Sequence, residues 1–270
     1  VTRLLLAAAL LTVGCAAAQP PSLTTRTSGR EVVFAAVSWN VHEGRGDLPR
    51  LIDDLTSGRL TGAPVREYVI LLQETIEGRW HDAMAIANAR RLFATFDPVR
   101  TTSRGTSGNA ILATQPLSNV QAIALPRERR VRRAIAATLE IGGQPLLAVC
   151  LHLENRTSWR RGAGFLGSDE ARARQVDALL QTIPDVPGVA GGDLNTWRGP
   201  DEPAVRALLE RFDDTPANER AEPTFWYGLV LDFLFFDLPN GWQAASAVVP
   251  DRYGSDHRPV VGVIVERPGL

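Results

Sequence analysis

The sequence predicts an α+β fold in which mixed β-sheets are covered by helices. Three observations predict it. Short apolar runs recur along nearly the whole chain, and Gly or Pro turns join many of them as hairpins. Helical stretches fall between these runs without strict strand–helix–strand alternation, which argues against a purely parallel sheet. The 270 residues are 44% hydrophobic and 22% charged and show no internal repeat or second low-complexity boundary, so one large domain with an ample core is expected.

The elements follow in order. Glu31–Trp39 (EVVFAAVSW) is an apolar run of strand length, and a turn-rich segment separates it from a helix over Leu48–Leu60. Tyr68–Leu72 (YVILL) is a second buried strand, and Trp80–Leu92 suits a helix. Asn109–Ala113, Leu117–Leu125, Arg132–Ile141 and Pro145–Leu153 read as successive strands, the last two joined at Gly142-Gly143. Ser168–Thr182 is a helix with Ser168 as its cap, Asp169 and Glu170 in its first turn and Pro184 beyond its end. Val186–Ala190, Val230–Phe236, Trp242–Val249 and Pro259–Val265 complete the strands, with a helix over Glu202–Phe212.

Residues 1–18 read differently. Arg3 precedes the apolar run Leu4–Val13, and small residues follow it, as in a bacterial export signal. The run is too short to span a bilayer, which takes about 20 residues. Two processing sites compete: Gly14-Cys15, which would lipidate Cys15 and tether the protein to a membrane, and cleavage after Ala18. Periplasmic, secreted and lipoprotein locations all remain open. Residues 19–30 form a linker and 31–270 the folded domain, expected to be a monomer. With Cys15 processed, Cys150 has no disulfide partner and serves as a small buried hydrophobe. The net charge of −1 excludes a strong global field for nucleic acid or membrane.

Several apolar strands stop abruptly at a polar residue: Trp39-Asn40, Leu72-Gln73-Glu74, Leu151-His152, Gly192-Asp193-Leu194-Asn195, Leu231-Asp232 and Ser255-Asp256-His257. A buried carboxylate costs desolvation unless something compensates it, and strand-end loops on a rigid sheet are where sites are commonly assembled. Asp193 and Asn195, two apart, face one way in an extended chain. Asp256 and His257 are adjacent and diverge, so His257 pairs with another carboxylate while Asp256 turns to a metal or a neighbour.

These motifs, with Val41-His42 and Gly108-Asn109-Ala110-Ile111-Leu112, resemble the endonuclease/exonuclease/phosphatase superfamily, in its order and across Trp39–Val260. The resemblance implies a DNase I-like four-layer αββα sandwich: two facing mixed β-sheets, helices outside and the site at one rim. It implies a metal-dependent phosphoesterase acting on a phosphodiester, as in the nucleases, with a phospholipid or sphingomyelin phosphodiesterase and an inositol-phosphate phosphatase as alternatives; nucleic acid, a phospholipid head group and a soluble phosphate ester all remain open as substrate. By the same analogy Glu74 and Asn40 bind the metal, His257 activates water with Asp232 orienting it, Asp193 and Asn195 hold phosphate and water, His152 donates to a phosphate oxygen or the leaving group, and Asp256 helps bind metal or phosphate. Oxygen ligands suit Mg²⁺, then Mn²⁺; the chain has no His/Cys cluster with zinc spacing. No acidic partner for His152 is legible.

Other residues have competing explanations. His42 lines the site or caps its loop; Asn109 is a turn residue or a phosphate contact; His152 on its own also reads as a core histidine. Arg104 is the best single arginine for touching substrate. The denser run Arg127, Arg129, Arg130, Arg132 and Arg133 is better explained as a solvated strand edge guarded by charge than as a phosphate-binding rim. His81 reads as exposed, and Trp159–Leu166 as a substrate loop or a surface excursion. A serine hydrolase is disfavoured, because Ser255, Asp256 and His257 are sequence neighbours and no G-x-S-x-G elbow exists. A non-catalytic phosphate-binding protein has no need of all six strand-end groups.

Overall fold

The computed structural model describes residue 23 and residues 32–78, 82–157, 167–216 and 222–267. The expected export signal with Cys15, the linker apart from Leu23, His81 and the Trp159–Leu166 loop lie outside the described residues.

Eleven strands form two sheets. The first has the order β10 (Trp242–Val248), β11 (Val260–Glu266), β1 (Val32–Asn40), β2 (Tyr68–Glu77), β4 (Gly105–Ala113) and β3 (Phe93–Thr102); the second runs β5 (Ser118–Ala124), β6 (Arg133–Ile141), β7 (Gln144–His152), β8 (Gly188–Asp193) and β9 (Asp232–Asp237). Among the described residues only β1–β2 and β7–β8 are parallel strand pairs, so both sheets are mixed.

The period-2 alternation of strands sorts the apolar residues into layers. Phe34, Ala36, Val69, Leu71, Ala148, Cys150, Val189, Leu234 and Phe236 share one core between the sheets. Their alternates Ala35, Val37, Trp39, Ile70 and Leu72 pack outward with residues of α1 (Leu48–Thr56) and α2 (Ala83–Ala89). Leu147, Val149, Leu151 and Ala190 pack outward on the other side with α3 (Ser168–Leu180) and α4 (Pro203–Arg211). The result is the expected four-layer sandwich. At Gly191 the sheets approach so closely that a Cβ would lie 2.9 Å from Ser38 Cβ and 2.8 Å from Leu234 Cδ2.

Two local expectations are corrected, and one strand was missed. β3 was not legible as a strand: it is half-exposed at the sheet edge and carries Asp97, Pro98 and Arg100. The helix expected over Trp80–Leu92 covers only Ala83–Ala89, because Asp82 caps it by accepting from Met84 N and Ala85 N. Ser168 is not a cap but the first helical residue; Gly167, with φ of 68°, stands before it.

Candidate active site

Strand direction gathers the polar strand ends at one rim. In the parallel pair β7–β8, His152 is in register with Asp193, and antiparallel β9 places Asp232 opposite Asp193. In the other sheet Asn40 is in register with Gln73, which puts Glu74 one residue further on. Asn40, His152, Asp193 and Asp232 continue the alternation that faces the opposite sheet, so they meet in the seam. Glu74 would face the helices by that alternation. A bulge between Leu72 and Thr75 and a φ of 57° at Glu74 break the pattern, and its carboxylate lines a cavity with His152 and Asn109.

Asp193 is the hub. Its Oδ2 accepts from Asn40 Nδ2 at 2.9 Å, across the seam, and lies 3.5 Å from His152 Nε2 and 3.8 Å from His257 Nε2. Its Oδ1 accepts from Asn195 N at 2.9 Å. The strand ends at Asp193, and Asn195 is left-handed with φ of 53°. The two residues therefore meet through a tight turn, not along one extended face, and Asn195 Nδ2 donates to Leu153 O at 3.1 Å.

His257 Nδ1 lies 2.8 Å from Asp232 Oδ2, the pairing that the family resemblance implies. The ring packs against Phe225 at 4.7 Å between centroids. Trp39 Nε1 donates to His257 O, and Ser255 Oγ donates to Asn40 O at 2.7 Å while accepting from His257 N. Ser255 is thus a buried strap for the loop, not a nucleophile. Asp256 diverges as expected and pairs with His42 Nδ1 at 3.1 Å. His42 lies beyond the end of β1 with φ of 50°, on the rim, and shares no strand face with Asn40.

The two buried imidazoles are pushed in opposite directions. Burial alone would lower His257, but Asp232, Asp193 and Asp256 raise it to about 10. Burial lowers His152 well below its usual range, and Arg132, His257, Arg130 and Arg100 lower it further. Burial, with Asp232, pushes Asp193 up to about 7 against the opposing effects of His257 and the Asn40 hydrogen bond.

Asp193, Asp232 and His257 offer ligand atoms within 4.8 Å of one another, a group able to hold a metal. There, however, His257 and Asp232 already satisfy each other. The Glu74 carboxylate makes no hydrogen bond among the described residues and follows Gln73, the register partner of Asn40, whose Oδ1 takes His42 N. An all-oxygen set of this kind fits a hard divalent cation, and the buried, unpartnered Asp232 Oδ1 adds a further acceptor at the same seam.

The other expectations divide. Asn109 lines the Glu74 cavity, but its Nδ2 is used on Arg133 O at 2.9 Å. Arg104 is engaged by Glu43 at 3.2 Å at the β3–β4 turn and does not line that cavity. The arginine run is not a uniform solvated edge: Arg127 is exposed, Arg133 pairs with Asp97, and Arg132 is buried in the cavity wall with Arg130 beside it. Sequence reasoning also missed Glu202, which holds Arg172 in a buried bidentate pair and accepts from Trp197 N and Arg198 N just past Asn195. It missed the exposed Trp226 and Tyr227 next to Phe225.

A sequence model described as the Endonuclease/Exonuclease/phosphatase family matches residues 37–257. No curated protein sequence matches the chain. Solved structures do. The human Nocturnin catalytic domain with bound sulfate anion is 19% identical with a TM-score of 0.61, over 88% of this chain and 98% of that one. An endonuclease/exonuclease/phosphatase from Bacteroides vulgatus is 14% identical with a TM-score of 0.62, over 87% and 99%. Sphingomyelinase C from Streptomyces griseocarneus is 19% identical with a TM-score of 0.57, over 85% and 98%. At these identities the structural likeness speaks for the fold.

Proposed function

Because the chain belongs to the Endonuclease/Exonuclease/phosphatase family, whose members are hydrolases of phosphoesters, we propose that it is a divalent-metal-dependent phosphodiesterase that activates water with His257. The observation that carries this reading is the hub at Asp193, where two imidazoles and an amide, from the ends of two strands and one loop, converge on one carboxylate. A structural carboxylate needs one or two partners; a site that must grip a phosphorus centre needs groups on several sides of it.

The geometry supports the following roles. Asp232 fixes the ring of His257 through Nδ1 and leaves Nε2 facing the seam, where it takes the proton of the attacking water. The ester P–O bond breaks as the new P–O bond forms, and the leaving oxygen departs as the alcohol after taking a proton from solvent. His152, kept neutral, donates a hydrogen bond to a phosphate or leaving oxygen without adding charge. Asn195 and Asp193 fix the water and phosphate positions through the turn that joins them. Glu74 and Asn40 hold the cation, and Asp256 stands at the rim with His42. When bound, Mg²⁺ or Mn²⁺ would supply charge neutralisation at the phosphoryl oxygens.

The export signal read in residues 1–18 supports an extracytoplasmic phosphate ester, from nucleic acid or a phospholipid head group. The deciding experiment is a substrate panel of plasmid DNA, RNA, sphingomyelin, phosphatidylinositol phosphates and bis-p-nitrophenyl phosphate. We expect hydrolysis of at least one, abolished by EDTA and restored by Mg²⁺ or Mn²⁺. Hydrolysis indifferent to EDTA defeats the metal-dependent reading, and no hydrolysis across the panel favours a binding protein.

A further inference from the structure

The cavity beside Glu74 and His152 has a volume of about 320 Å³, and four arginines contribute to its wall: Arg100, Arg130, Arg132 and Arg133. Two have partners: Arg133 Nε donates to Asp97 Oδ2 at 2.7 Å, and Arg100 Nη2 to Glu43 Oε1 at 2.9 Å. The guanidinium groups of Arg130 and Arg132 have no hydrogen bond or ion pair among the described residues. Arg132 is only 6% exposed, and its Nε is a buried donor without an acceptor. A charge held this way costs stability unless something pairs with it.

The chain takes trouble to hold both arginines in place. Glu154, fully buried, accepts from Arg129 N at 3.1 Å and Arg130 N at 2.7 Å on one oxygen, and from Asn155 N at 3.0 Å on the other. The loop carrying Arg130 and Arg132 is therefore clamped from beneath by its backbone, leaving the guanidinium groups for something else. Burial lowers Arg132 to about 10, against the opposing effect of the carboxylates of Glu154, Asp193 and Glu74, so it remains a cation at neutral pH. The cavity reaches Glu74 and His152, while His257 and Asp232 are not among its walls. It extends from the site on the side away from the water-activating pair.

We propose that Arg132 and Arg130 form a subsite for a second phosphate group of the substrate, adjoining the one attacked; this rests on the phosphoesterase reading above. The attacked phosphate already has His152 and the Glu74–Asn40 pair. Two further unpaired guanidinium groups in an adjoining cavity exceed what one phosphate requires, and a fork of N–H donors matches non-bridging phosphate oxygens in two-point contact. The next internucleotide phosphate of a strand and a terminal phosphate present the same oxygens. A zwitterionic head group with a single phosphate leaves the subsite unfilled.

The test separates binding from hydrolysis. In EDTA, calorimetric titration with pyrophosphate compares the full chain with Arg132→Met and Arg130→Gln. The expected result is binding by the unmodified protein, weakened about tenfold or more in each variant, with the Tm of Arg132→Met unchanged or raised because an uncompensated buried charge is gone. Unchanged affinity overturns the proposal. So does a fall in Tm of more than about 2 °C for Arg132→Met, which marks a structural arginine.

With Mg²⁺, kcat/KM is then compared for thymidylyl-thymidine, its 5′-phosphorylated form and the trinucleotide with two internal phosphates. A preference of about tenfold for a two-phosphate substrate, lost in Arg132→Met, is expected. Preference for the phosphorylated dimer alone identifies a terminal phosphate as the source, and preference for the trinucleotide an internal one. Equal values for all three overturn the subsite while leaving the phosphoesterase reading intact. Arg132-dependent pyrophosphate binding without hydrolysis of any ester overturns that reading and leaves the anion site standing.

Discussion

The two sides of the seam differ in how completely their groups are partnered. On the His257 side the imidazole meets Asp232 at 2.8 Å, Phe225 packs on the ring, and Ser255 and Trp39 tie down its backbone. On the Glu74 side the carboxylate and the guanidinium groups of Arg130 and Arg132 line a cavity and make no hydrogen bond among the described residues. The first arrangement is set before any ligand arrives, as preorganised catalysis requires. The second is left incomplete, so a ligand supplies what is missing. The histidines show the same contrast: His257 is raised by carboxylates while His152 is lowered by burial and arginines.

The sharpest way to break this contrast is to remove the preorganised base. His257→Ala is expected to lower kcat by about 10²–10⁴-fold with a smaller change in KM, measured on whichever ester the panel identifies. A variant of full activity would move the water-activating role elsewhere, with Asp193 the next candidate. On the open side, Glu74→Gln should weaken metal binding by about 10–100-fold, read as the loss of the thermal shift that Mg²⁺ or Mn²⁺ produces in the unmodified protein; an unchanged shift would relocate the cation to the Asp193–Asp232–His257 group.

The smallest effect sharpens the electrostatics. His257 is raised from 6.5 to about 10 in the folded protein. Its contribution to stability is therefore whole below pH 6.5 and is lost as pH rises through 10. Asp232→Asn removes the leading carboxylate, so the imidazole signal should titrate at lower pH by NMR and the alkaline loss of stability should flatten. An unshifted titration would mean that Asp193 and Asp256 suffice to hold the proton.

Much of the scaffold was legible because strand period and burial agree. Val32–Asn40 and Gln144–His152 are apolar on both faces, since each sheet has helices behind it and a sheet in front. The strand-end residues Asn40, His152, Asp193 and Asp232 could be found because a polar group at the end of such a run is locally anomalous. The rest depends on contacts that no local pattern encodes. β3 carries an edge strand's mixed exposure, and Glu74 reaches the cavity only through a bulge with a left-handed residue. Arg132 belongs to a run of charges that looks solvated, yet it is buried just before β6 begins, in a cavity wall shared with Glu74 and His152. Arg104, the more plausible arginine in sequence, is taken by Glu43, a residue 61 positions away.

The hydrogen bond from Asn40 to Asp193 joins residues 153 positions apart, one from each sheet. Neither sheet owns the site, and Gly191 keeps the two close enough for the bond to span the gap. Turnover thus doubles as a gauge of how the halves of the sandwich are docked. A slip of one sheet against the other by about the length of one hydrogen bond, roughly 3 Å, would silence the chemistry while every strand ladder stayed zipped.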